Sequence, residues 1–311
     1  MNNTSNSLVS GIDPASFSAV TGPSQDLFRF VNGPWVDMYR LPDDRSRYGS
    51  FDKLAEDAEN QIRDILEEDD CPAVKSRALY HSFLDVDAID AAGLAAIEDQ
   101  LASIDEAEDK AALTRALGAM NPTGGPDLIG IAVYGDPGAP ETNVVHIEQD
   151  GLDLPDEAYY REDHYAPIRE AYVEMVAKQL KNAHLAADDE DAHAQAKRFL
   201  DVETRIAANH WDNVSTRDSV KTYNPTDYAD LCAMLADVDL DAWIDAWQNA
   251  YDATTAAAVQ PLDFRGCFSH TIVHEPSFLT GLNAFWKEAS LDDLKLWARV
   301  HVAVSYTHLR A

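Results

Sequence analysis

His270 and His274 stand four residues apart in His270-Thr271-Ile272-Val273-His274-Glu275. That separation puts two metal ligands on one face of a helix. Here the residue after His270 is threonine rather than glutamate. The β-branched interior favours a strand, which would not hold the pair as a helix face does. A solvent-exposed or core pair is therefore expected in place of a metal site. Glu275 precedes Pro276 and reads as a helix entrance. The acidic runs Glu67-Glu68-Asp69-Asp70 and Asp188-Asp189-Glu190-Asp191 lack the alternating ligands and glycine of a calcium loop, so they read as solvated surface. The sequence contains no H-E-x-x-H, G-x-S-x-G, G-x-x-x-x-G-K-[ST] or G-x-G-x-x-G. That removes a helix-borne zinc pair, a serine elbow, a phosphate loop and a dinucleotide turn as sources of chemistry.

The chain that must position any site is 311 residues long, with 46% hydrophobic and 25% charged residues, the balance of a folded rather than a disordered protein. Its 24 basic and 55 acidic side chains leave a net charge of −31. Such a surface repels phosphate backbones and anionic lipid, so no nucleic acid and no membrane is expected as partner. No run approaches the roughly 18 apolar residues of a membrane-spanning helix. Residues 1–23 are polar and read as a flexible lead-in, without the basic stretch and apolar core of a secretory signal. Cys71, Cys232 and Cys267 are odd in number and in no C-x-x-C pair, against a disulfide framework or a cysteine-rich zinc site. A cytoplasmic location follows as the expectation.

Periodicity places helices over 50–70, 73–84, 91–104, 110–120, 167–183, 192–210, 226–236, 240–254 and 277–297, the last breaking near Ala289-Ser290. The first carries Phe51, Leu54, Ala58, Ile62 and Ile65 as an apolar stripe. Leu128–Tyr134 and Asn143–Ile147, joined by the turn-rich 135–140, read as one small β-hairpin. The fold class is mainly α. Residues 304–311, Val304-Ser305-Tyr306-Thr307-His308-Leu309-Arg310-Ala311, break the amphipathic pattern and resemble the translation of a sequencing adapter, so they are set outside the fold.

One ordered series of motifs is more specific. Asp26-Leu27-Phe28-Arg29-Phe30-Val31-Asn32-Gly33-Pro34-Trp35, Leu41-Pro42 and Ser46-Arg47-Tyr48-Gly49-Ser50-Phe51-Asp52 come first. Ala78-Leu79-Tyr80 with Ile89-Asp90, Gly151-Leu152-Asp153-Leu154-Pro155 with Tyr159-Tyr160, and Arg217-Asp218 with Tyr223-Asn224-Pro225 follow. Together they resemble the neprilysin-like zinc metallopeptidases, most closely the bacterial oligopeptidase O branch, over about residues 24–303. The resemblance implies two largely helical lobes around an enclosed cavity. Residues 24–72 would be a strip of the catalytic lobe and 73–303 the covering lobe. The family's H-E-x-x-H and third glutamate ligand have no counterpart here, so the resemblance implies zinc in a full-length parent and none bound by this chain. The implied partners are short peptide substrates and the missing C-terminal catalytic half.

By the same resemblance, Arg47, Phe51 and Asp52 line the primed side of a substrate cleft. Arg47 would bind a substrate carbonyl or terminal carboxylate, for which its planar fork is suited. Phe51 would wall an apolar pocket and Asp52 would hold Arg47. A further family arginine is Ala55 here, which weakens any preference for a free C-terminus. Read without the resemblance, Phe51 belongs to the helix stripe, Asp52 suits a first helical turn, and Arg47 is a surface residue. Arg217-Asp218 reads as an inter-helix ion pair and Trp35 as a core anchor. Asn283-Ala284-Phe285-Trp286 looks like the substrate-backbone clamp of some zinc peptidases, but Trp286 is off pattern and an aromatic core turn is expected. The expected function is the N-terminal portion of a zinc-dependent endopeptidase. The alternative is a non-catalytic, acidic, helical peptide- or protein-binding module.

Overall fold

The computed structural model describes residues 12–68, 70–255 and 261–305. It divides into two compact units, Met1–Leu84 and Asp85–Ala311. The first unit holds α1 (Leu27–Met38), α2 (Ser50–Glu67) and α3 (Val74–Leu84). Helix α1 is absent from the sequence reading because Gly33 and Pro34 lie inside it, and an interior proline removes a backbone hydrogen bond. Helix α3 stays with α2, where the Tyr80 hydroxyl donates to Glu67 Oε1 at 3.1 Å. The stripe on α2 faces solvent: Phe51 is 88% exposed, Leu54 62% and Ile62 57%. Trp35, expected as an anchor in the core, is 44% exposed.

The second unit holds α4 (Val86–Ala92), α5 (Glu98–Asp105), α6 (Lys110–Met120), β1 (Ile129–Asp136), β2 (Ala139–Gln149), α7 (Ala158–Arg161), α8 (Ala166–Asn182) and α9 (Asp189–Ala207). After these come β3 (Asn224–Asp227), α10 (Tyr228–Met234), α11 (Leu240–Thr254), α12 (Phe264–Cys267), β4 (His270–Val273), α13 (Pro276–Glu288) and α14 (Leu291–Ser305). Its core gathers Phe199, Phe268, Phe278, Trp286 and Trp297, all fully buried. Helix α6 packs on α11, α8 on α9, and α14 across α5, α8 and α9. The fold is mainly α, as expected. No helix among the described residues is long and apolar enough to cross a membrane.

The acidic composition has a local use. Asp26, Asp85, Asp109, Asp188, Asp227, Asp239 and Asp263 each sit at a helix N-cap and accept a backbone N–H of the first turn. Each such cap is worth about 1 kcal/mol and also meets the positive end of the helix dipole. The run 188–191 is thus the cap and first turn of α9. In the run 67–70, Asp69 lies outside the described residues.

Expectation and structure part at one turn residue and at one strand pairing. The helix expected over 91–104 is two, because Gly93 adopts φ +54° after α4. The helix expected from Thr226 starts at Tyr228, because Asn224–Asp227 pair with β4. The break at Ala289-Ser290 occurs as expected, with Ser290 Oγ accepting the Asp293 N–H at 3.1 Å. Helix α14 runs to Ser305, and Val304 packs partly buried against the core. Residues 306–311 lie outside the described residues.

The expected hairpin β1–β2 is part of a four-stranded sheet ordered β1-β2-β4-β3. Strands β1 and β2 are antiparallel, β2 and β4 parallel, and β4 and β3 antiparallel. Val145, Ile147, Thr271 and Val273 turn one face to the helical core. The alternation of strand residues puts His146, Glu148, His270 and Ile272 on the other.

Candidate functional site

The segment Ser46–Asp52 enters α2 through Gly49, whose N–H donates to Asp52 Oδ2 at 2.8 Å. Asp52 therefore spends its carboxylate on the helix entrance, as its position in the first turn favours, and makes no ion pair with Arg47 among the described residues. Arg47 is exposed on the loop before the helix, and Phe51 projects from the first turn into solvent. The structure brings Arg47 and Asp52 to one shallow depression with Asp44, Arg45 and Ser46. Phe51 does not line it.

Sequence reasoning missed the groups that fix this loop. Tyr48 donates its hydroxyl to Glu56 Oε2 at 2.6 Å, and Arg45 pairs with Glu56 Oε1 at 3.1 Å. The Tyr48 ring stacks on Tyr39 at 4.6 Å, and Tyr39 stacks on Trp35 at 4.7 Å. The hydrogen bond to Glu56, ahead of desolvation and the carboxylate's charge, pushes the Tyr48 phenol up to about 12. A hollow of about 400 Å³ lined by Phe28, Asn32, Trp35, Val36, Tyr48, Gly49, Ser50 and Lys53 adjoins the stack. The result is a pinned loop in which the guanidinium beside the aromatic stack is that of Arg45, 5.8 Å from the Tyr48 ring centre, while Arg47 lies exposed with Asp44 and Asp52. Such a corner can pair a carboxylate or carbonyl and seat an apolar side chain.

The motif Gly151–Pro155 with Tyr159-Tyr160 serves a different end. Gly151 takes φ +92°, and its carbonyl accepts the Trp297 indole N–H at 3.1 Å. Asp153 and the fully buried Glu203 bracket His301, with Asp153 Oδ1 at 3.2 Å from Nδ1 and Glu203 Oε1 at 3.2 Å from Nε2. The second approach is an ion pair whose N–H is not aimed for a hydrogen bond. Tyr160 and Tyr172 donate to Glu203 Oε2 at 3.0 and 2.7 Å, and the Asp153 N–H donates to Oε1 at 2.9 Å. Burial opposes charge on His301, but the carboxylates of Asp153 and Glu203 on either side of the ring outweigh it and push the imidazolium up to about 10.

These three residues are the single group of three His, Cys, Asp or Glu donors that converges within 4.8 Å among the described residues. They do not fit the zinc that the family resemblance implies. A catalytic zinc keeps an open position for water, whereas both imidazole nitrogens here face carboxylates and Glu203 reaches no solvent. The other motif readings resolve simply. His270 and His274, on one side of the sheet, are about 13 Å apart along the strand. Asn283 is tied to Asp237, accepting its N–H at 2.7 Å, while Phe285 and Trp286 are buried in α13 as an aromatic core turn. Asp218 accepts the N–H groups of Val220 and Lys221 rather than pairing with Arg217.

Human neprilysin is 25% identical over 298 residues, a match that covers 89% of this chain and 39% of neprilysin. The zinc metalloprotease Zmp1 of Mycobacterium tuberculosis, solved with an inhibitor, superposes with a TM-score of 0.81 at 31% identity over 94% of this chain and 43% of that one. PepO of Lactobacillus rhamnosis shares the fold, with a TM-score of 0.69 at 19% identity over 92% of this chain and 43% of that one. The chain thus spans about two-fifths of the length of these relatives. Residues 23–310 match the family described as Peptidase family M13, and with nearly all of the described fold inside that match, the chain belongs to this family.

Proposed function

We propose that this chain is the N-terminal portion of a zinc-dependent endopeptidase that hydrolyses short peptides. It would supply cleft wall and lid, and the zinc site would lie in residues it does not carry. The observation that carries the reading is the family match over residues 23–310 in a chain that has no H-E-x-x-H. The exposed stripe of α2 supports it, because a row of apolar side chains on a helix calls for a partner surface. That partner, in this reading, is the C-terminal half of the same protein. Residues 24–72 belong to the catalytic lobe and 73–303 to the covering lobe.

In the complete enzyme Arg47 binds a substrate carbonyl or carboxylate, Phe51 walls an apolar pocket, and Asp52 holds the Gly49 turn that directs Arg47. A cytoplasmic setting is part of the proposal, and the three unpaired cysteines suit a reducing compartment. Two experiments test the reading. The purified 311-residue chain, assayed with short peptides and added zinc, should cleave nothing; chelator-sensitive hydrolysis would overturn the assignment of the zinc site elsewhere. Sequencing the source gene past the codon for Ala303 should reach H-E-x-x-H in frame. A genuine stop codon directly after Ala311 would favour the binding module instead.

A further inference from the structure

The sheet brings together a histidine pair that the sequence does not announce. His146 lies in β2 and His274 immediately follows β4, the parallel neighbour of β2. His146 Nδ1 and His274 Nε2 face one another at 2.9 Å. Glu148, two residues along β2 from His146 and on the same face, places Oε1 3.7 Å from His274 Nε2. His146 is 5% exposed and lies edge-on to the Tyr134 ring at 5.5 Å, so its direction is fixed by packing. The side chains of His274 and Glu148 are 23% and 48% exposed, which leaves a path from solvent.

We propose that His146 and His274, with Glu148 as third ligand, form a structural site for a divalent transition metal that clamps β2 to β4. Two metal–nitrogen bonds of about 2.1 Å, at angles between octahedral and tetrahedral, set their donors about 3.0 to 3.4 Å apart. The observed pair needs to open by only a few tenths of an ångström. Glu148 must turn its carboxylate inward, which a half-exposed side chain can do. Imidazole selects zinc, nickel or copper over calcium and magnesium, which take oxygen ligands. One of the two facing nitrogens holds a proton in the metal-free form, as an N–H···N hydrogen bond. Capture of the ion moves that proton to the far nitrogen of the same ring, with no net proton lost. For His146 the far nitrogen, Nε2, is buried without a partner. That cost sets the expected affinity at micromolar rather than nanomolar.

The test is titration calorimetry of the untagged, EDTA-stripped 311-residue chain with Zn²⁺, and with Ca²⁺ to report adsorption on the acidic surface. One equivalent of Zn²⁺ should bind at micromolar concentration and raise the melting temperature, as a ligand of the native state does. Ca²⁺ should not bind at that strength. His274→Asn should weaken Zn²⁺ binding at least tenfold, and Glu148→Gln about threefold. Both positions are partly exposed, and circular dichroism of each variant is the check that it folds. His146→Gln should abolish the melting shift. A wild-type chain that takes up no Zn²⁺ would show that the contact is a hydrogen bond alone and overturn the proposal. So would His274→Asn binding with wild-type affinity, since the ion would then sit at Asp153–Glu203–His301 or on a cysteine. Full affinity in Glu148→Gln would strike Glu148 from the site.

Discussion

His301 on α14 and Glu203 on α9 meet at 3.2 Å where Glu203 is fully buried and His301 nearly so. With Asp153 on the other side of the ring, the imidazolium joins two helices and the loop after β2. Its position near the end of α14 makes that helix part of the core.

The pH dependence of stability follows from this contact. His301 is raised from its ordinary value of about 6.5 to about 10. The folded state therefore holds the proton more tightly than the unfolded chain. Its contribution is complete below pH 6.5 and is lost as the pH rises through about 10. Melting temperatures should fall across that range in the wild-type chain and fall less in His301→Asn. Equal slopes would show that His301 is neutral in the fold.

Tyr48 should ionise late. Its hydroxyl is donated to Glu56, so phenolate formation would break that bond and set two negative charges together. Titration followed by NMR at the Tyr48 ring should give an ionisation near 12. Glu56→Gln should bring it back towards the ordinary value of about 10.

Gly118 measures how tightly α6 and α11 are pressed together. A Cβ there would stand 2.2 Å from the Trp243 carbonyl oxygen. Alanine is the better helix former by up to about 1 kcal/mol, but overpacking costs typically 1–3 kcal/mol. Gly118→Ala should therefore lower the urea midpoint. A gain in stability would show that the helices can separate without cost.

Arg47 offers a functional test of the proposed cleft. In the full-length enzyme, Arg47→Ala should raise KM for short peptides about tenfold with kcat little changed. A charge-assisted hydrogen bond is worth about 1.5–3 kcal/mol, and Arg47 would contact a part of the substrate that does not react. Arg47→Lys should recover part of the loss, because lysine keeps the charge without the planar fork.

The sequence disclosed those parts of the fold that repeat locally. Helical periodicity over 110–120, 167–183 and 240–254 and the hairpin at 128–147 needed only neighbouring residues. The extension of the hairpin by β3 and β4 depended on partners far along the chain. His146 gave no signal of its encounter with His274, because the two meet only once β2 and β4 lie side by side. Helix α1 was hidden by Pro34. At the candidate corner, the R-Y-G-S-F-D stretch drew attention to Arg47, yet its support by Tyr48, Glu56 and the Trp35–Tyr39 stack depends on how α1 and the loop fold back on α2. The role of Asp52 was legible from its place in the first turn, and the resemblance obscured it.

The parallel pairing of β2 with β4 also sets an order of events during synthesis. Strand β2 ends at Gln149 and β4 begins at His270, so the ribosome must translate the whole interval before the inner edge of β2 can be covered. At about 5–20 residues per second this is a wait of roughly 6 to 24 seconds. Throughout it the nascent hairpin shows an unpaired edge of the kind that recruits other strands. Ribosomes that stall within residues 150–269 would leave that edge open, and their products are the ones for which chaperones would be most needed.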